Sequence, residues 1–174
     1  MPRKNILALL EGGDRRSIGR ADEVAEMVAA DPALFPALIA GLWSTDELVR
    51  MRAADANEKV TRKRREFLHP YKKELLGLMA ETQQQELRWH LAVIVPRLML
   101  TARERQSAMD SLTGYLKDRS SIVKTFALQG MADLAEGQPE LRSAVIDILR
   151  EATRKGTPAM KARSRKLLIQ LEKF

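Results

Sequence analysis

Residues suited to acid–base, nucleophilic or metal chemistry are scarce in this chain of 174 residues. Cysteine is absent, which removes a thiolate nucleophile, a disulfide framework and a cysteine-based metal site. His69 and His90 are the only imidazoles and fall in different segments, so a zinc site has no support. Glu11-Gly12-Gly13-Asp14 lacks both the spacing and the lysine of a phosphate-cradling loop. Asp55 is a single acid with neither a nucleophile nor a second acid in a matching pattern. Catalytic residues, metal ligands and cofactor are therefore all read as none, and binding is the chemistry to look for.

Charge and aromatics supply the binding candidates. The net charge is +7, unevenly spread: residues 1–60 carry a net −2, residues 61–149 a net +3 and residues 150–174 a net +6. The densest positive region runs from Arg150 to Lys166, and a second run is Arg62-Lys63-Arg64-Arg65. Such groups suit phosphate or an acidic partner, and equally serve as a solvated face. Aromatic companions are few, which weakens single-strand stacking.

The elements that must hold these residues are helices. Ala, Leu, Glu, Lys, Arg, Gln and Met dominate, and β-branched residues occur singly rather than in alternation. The run Ile6 to Leu10 is too short for a signal peptide, and no segment reaches the ~18 apolar residues of a membrane helix. The chain is read as cytoplasmic with no membrane contact.

A pattern recurs along the chain. An apolar residue and a basic one are followed by two variable positions, two small or apolar ones and a later apolar one. Its copies begin at Val49, Leu87, Val123 and Met160, at offsets of 38, 36 and 37 residues. A near-constant period of this size signals an array of helical hairpins. Val49, Ala53, Ala56 and Val60 share one face at the helical period. A more hydrophobic helix precedes each copy: Leu34 to Leu42, Tyr71 to Met79, Arg105 to Leu116 and Leu141 to Ala152. Asp31-Pro32, Thr101 and Thr157-Pro158 provide N-caps. Pro96 should end or kink its helix, and Gly114 and Gly130 should admit close packing. Two helices, Arg3 to Leu10 and Ser17 to Ala30, lie in front as a cap. About ten helices result, in one domain: 1–30 capping, 31–174 four hairpins.

The segment Asp46-Glu47-Leu48-Val49-Arg50-Met51-Arg52-Ala53-Ala54 and its copies resemble HEAT repeats. That resemblance covers residues 31–174 and extends to small bacterial HEAT-like proteins of undefined activity. It implies an all-α, right-handed α-solenoid of the armadillo-like kind, with second helices lining a concave surface. With the Val49 face toward the core, copies align in rows. Arg50, Arg88, Lys124 and Lys161 form a row that in HEAT proteins ties neighbouring repeats. Arg52, His90, Phe126 and Arg163 form a second, and Met51, Trp89, Thr125 and Ala162 a third.

The resulting binding candidates are Arg52, Asp55, Lys59, Trp89, His90, Arg97 and Arg163. Trp89 is expected on the side away from the core, as an anchor. Mixed charge on this strip favours a protein partner over a bare polyanion. The alternative is DNA or RNA binding, since the resemblance extends to HEAT-like alkylpurine DNA glycosylases that cradle duplex DNA on a basic concave face. Neither the partner's identity nor the oligomeric state is written in the residues.

Overall fold

The structure is a computed structural model that describes residues 5–173. The expected helix start at Arg3 lies outside these residues. Every regular element among the described residues is helical, nine of them α-helices. Contacts group the chain into two compact units, divided between Tyr71 and Lys72.

The first unit contains a 3-10 helix Ile6–Leu10, α1 (Ala21–Ala30), α2 (Phe35–Ala40), α3 (Glu47–Thr61) and a 3-10 helix Arg65–Tyr71. Short 3-10 turns, Pro32–Leu34 and Gly41–Trp43, extend α2 at both ends. Asp31 caps this segment by accepting from the Ala33 N–H at 3.2 Å, ahead of Pro32. Asp46 does the same for α3 through the Leu48 N–H at 2.8 Å. Val49, Ala53, Ala56 and Val60 are buried, as their spacing requires, and α3 packs on both α1 and α2. The approach to α2 is close: a Cβ on Gly41 would lie 2.7 Å from that of Ala53. Buried Asn57 donates to Ala53 O at 2.8 Å and to Leu38 O at 3.3 Å, tying α2 to α3.

The helix expected from Ser17 begins only at Ala21. The cause is Arg52. The chain before α1 folds around its guanidinium, and Gly12, Gly13 and Gly19 take left-handed φ values of 70°, 80° and 56° to make that wrap.

The second unit contains α4 (Lys72–Glu81), α5 (Gln85–Ile94), α6 (Ala102–Tyr115), α7 (Ser121–Ala135), α8 (Pro139–Lys155) and α9 (Pro158–Leu171). They pair as α4 with α5, α6 with α7 and α8 with α9; second helices also contact second helices, α5 on α7 and α7 on α9. Thr101 and Glu104 close a full capping box, and Thr157 accepts from the Met160 N–H at 3.3 Å ahead of Pro158. Pro96 does end its helix: α5 stops at Ile94 and a 3-10 turn, Val95–Arg97, follows. Gly130 meets the expectation of close packing, since a Cβ there would fall 2.2 Å from Ala92 O on α5. Gly114 does not; the space beyond it is open. No helix among the described residues is long and apolar enough to cross a membrane.

Candidate binding faces

In the first unit the candidates are Arg52, Asp55 and Lys59, all on α3. Arg52, expected as a binding residue, is a correction: its side chain is enclosed by the fold. It is 2 % exposed. Its Nε donates to Ser17 O at 3.1 Å, Nη1 to Leu10 O and Gly12 O at 2.8 and 2.6 Å, and Nη2 to Asp14 O at 3.0 Å. Four backbone carbonyls satisfy the planar fork, so this side chain organises a loop and is not offered to a partner. Lys59 bridges Asp22 on α1 and Asp55 on its own helix, with the Asp55 contact at 2.5 Å. Burial opposes its charge, yet the two carboxylates outweigh that and raise the Lys59 pKa. A shallow cleft of about 530 Å³ opens beside it, lined by Asp22, Glu26, Lys59, Lys63 and Arg64.

The second unit carries Trp89, His90, Arg97 and Arg163. Trp89 is half-buried, with its ring centroid 5.7 Å from that of His90. His90 Nδ1 lies 2.7 Å from Glu86 O, one turn earlier; as donor, that nitrogen leaves Nε2 directed elsewhere. Arg163, on α9, reaches back to α7: Nη1 donates to Gln129 Oε1 at 2.7 Å, and Cζ stands 5.7 Å from the centre of the Phe126 ring. Gln129 in turn donates to Asp133 Oδ1 at 2.8 Å. Arginine, amide and carboxylate thus form a chain from α9 into α7.

Asp133 is the group that sequence reasoning missed. Burial raises its pKa, with Glu136 adding to the rise, while the positive fields of Arg97 and Arg163 act in the opposite sense. It lines a cleft of about 600 Å³ together with Gln129, Glu136, Arg142, Gln170 and Leu171. A carboxylate held partly out of water in a cleft is a functional-site signal. The signal was present in the repeat: the offsets of 38, 36 and 37 carry Lys59 to Arg97, then to Asp133 and Gln170. Arg97 and Asp133 therefore occupy one row, and the structure brings them within electrostatic reach.

Of the first row, Arg88 ties one hairpin to the next. Arg88 pairs with buried Asp118 at 2.7 Å, linking α5 to the turn before α7, and stands over the Tyr115 ring at 5.2 Å. Arg50 instead donates to Ser44 O and Thr45 O within its own hairpin, at 2.7 and 3.3 Å. The second missed residue is Trp43, which is 43 % exposed while Trp89 is half-buried. No protein-family model matches the chain, and no curated protein matches it.

Proposed function

We propose that this chain is a cytoplasmic, non-catalytic binding module of HEAT-like helical hairpins, of the right-handed α-solenoid kind, whose second helices take a protein partner. One observation carries the reading: two cations of these helices, Lys59 and Arg163, already have internal partners. Lys59 sits between Asp22 and Asp55, and Arg163 is engaged by Gln129 in a chain that ends at Asp133. A polyphosphate backbone gains affinity from cations that can shed counterions. Committed cations beside accessible carboxylates instead suit a surface with both signs of charge and apolar groups, as proteins present. Half-buried Trp89 and Phe126 would supply the apolar contacts.

The test is affinity capture by the native chain and by a Trp89→Ala/Lys59→Glu variant, with cross-linking to locate the contact. The expected result is a partner cross-linked to α5, α7 or α3 and lost with the variant. An identical set of captured proteins for both chains refutes the placement. The second reading, duplex DNA or RNA, draws on the exposed Arg165 and Lys166 of α9. It requires a gel shift at low salt that weakens steeply as salt rises.

A further inference from the structure

The cleft of about 600 Å³ beside Asp133 sets a half-satisfied acid against apolar side chains. Ala132 of α7 and Leu171 of α9 supply the apolar part of its lining, and both are buried. Asp133 carries the chemistry. Its Oδ1 accepts from Gln129 Nε2 at 2.8 Å. The Gln129 amide is held from its other side by Arg163, whose Nη1 donates to Oε1 at 2.7 Å, so its NH2 group faces Asp133. The second oxygen, Oδ2, receives no hydrogen bond from any described residue. Burial raises the Asp133 pKa even though Arg97 and Arg163 oppose the rise. A carboxylate held partly out of water, with one oxygen open, gains most from a cation brought to it.

We propose that this cleft takes a lysine side chain of the protein partner, presented between acidic residues. The proposal rests on the binding-module reading and specifies its contact. The lysine methylenes lie against Ala132 and Leu171, and the ammonium meets Asp133 Oδ2. Exposed Glu136, three residues on and also lining the cleft, is the second acceptor. Arginine fits less well. Its planar fork is best met by both oxygens of one carboxylate, and Gln129 already holds Oδ1. An ammonium is a point charge and needs only the open oxygen. The surroundings select what flanks the lysine. Lys166 and Lys173 are exposed on either side of Gln170, Lys173 itself lines the cleft, and the whole chain has a net charge of +7. Arg142, also in the lining, is engaged in an interaction of its own. A run of basic residues is repelled by this rim, whereas a lysine with aspartate or glutamate beside it matches both signs. The volume lies within the ~300–1,000 Å³ of ordinary ligand sites, so it admits the side chain and part of the main chain that bears it.

The experiment is an NMR titration of the full chain with the peptide acetyl-Glu-Lys-Glu-amide, read at the side-chain NH2 groups of Gln129 and Gln170, both in the lining. Both signals should shift and saturate, with a Kd of about 1 mM. Norleucine in place of the lysine keeps the stem without the charge and should weaken binding about tenfold or more. Arginine in its place should bind more weakly than lysine. Asp133→Asn keeps the shape of the acid and should weaken lysine-peptide binding about tenfold or more, with a thermal melt at least as high as the native one. Glu136→Gln, at the exposed rim, should weaken it about two- to fivefold. Absence of a saturating shift overturns the proposal, as does an Asp133→Asn chain that binds like the native one. Acetyl-Lys-Lys-Lys-amide binding as tightly as the mixed peptide overturns the acidic flanks, and glycine binding as tightly overturns the lysine in favour of a small zwitterion. Affinity capture separates this contact from the broader reading. A partner captured equally by native and Asp133→Asn chains overturns the lysine contact and leaves the binding module standing. Asp133-dependent peptide binding with no captured partner supports the cleft's ligand chemistry and counts against the module.

Discussion

Replacing Arg52 with methionine should detach the loop before α1 and weaken the first unit. The stem can still be filled by the methionine chain, so the change isolates the guanidinium. That group makes four hydrogen bonds to main-chain carbonyls, of Leu10, Gly12, Asp14 and Ser17. A hydrogen bond from a charged donor contributes roughly 1.5–3 kcal/mol. The four do not add at that value, because Gly12, Asp14 and Ser17 are exposed and their carbonyls regain water once the loop opens. Leu10 is fully buried, and its carbonyl bears the full penalty. Removing a buried cation also lifts its own desolvation cost. The net loss is about 3 kcal/mol. Urea unfolding measures it, and amide exchange locates it. The reporters are the N–H groups of Arg16, Ser17 and Gly19, which bond Asp14 Oδ1, Asp14 O and Ser17 Oγ inside the loop. They should exchange quickly in the variant. A loss below about 1 kcal/mol, a range typical of ordinary surface changes, with these amides still protected would show that the carbonyl cage does not hold the loop.

Gly19→Ala should cost about 1–2 kcal/mol, from a φ of +56° and a Cβ placed 2.8 Å from Arg52 Cζ, and less in the Arg52→Met background; equal costs in both refute the coupling. Gly130→Ala should be among the most damaging single-methyl changes, at more than about 2 kcal/mol, whereas Gly114→Ala should be neutral or stabilise by up to about 1 kcal/mol; thermal melts compare them. Asp118→Asn should cost about 3 kcal/mol at neutral pH by leaving Arg88 without its anion. Burial pushes the Asp118 pKa up, but the Ser120 N–H and Arg88 overcome it, so the folded value lies below 3.8; the stabilisation is complete above about pH 4 and is lost as pH falls through the folded value. Asp133 has the reverse sign. Burial raises its folded pKa above 3.8, so native stability should fall as pH rises through that interval, and Asp133→Asn should remove the slope and leave stability at pH 7 unchanged or higher; a marked loss would contradict the assigned direction.

Local order was legible because it is local. Asp31, Thr101 and Thr157 cap the helices expected of them, since a side-chain oxygen and a free N–H two or three residues on are sufficient for a cap. Pro96 stops α5 for an equally local reason, a missing donor. The buried stripe of α3 followed from its period. What the residues alone left open was the fate of each long side chain at the border of that stripe. Arg52 and Lys59 look alike in sequence, yet one is enclosed by four carbonyls of a loop some 40 residues earlier and the other bridges two aspartates. Likewise Asp133 has a raised pKa chiefly because it is buried within the fold, with the charge of Glu136 adding to the rise.

Sequence therefore determined that the chain is helical, where most helices begin and end, and which faces are buried, because those depend on neighbours within a few residues. Tertiary packing decided which charges are spent inside the fold and which remain at the surface. Desolvation and partner distance are properties of segments far apart in the chain. The same holds for the two tryptophans: Trp43 is exposed and Trp89 half-buried, and their own sequence neighbours do not reveal the difference.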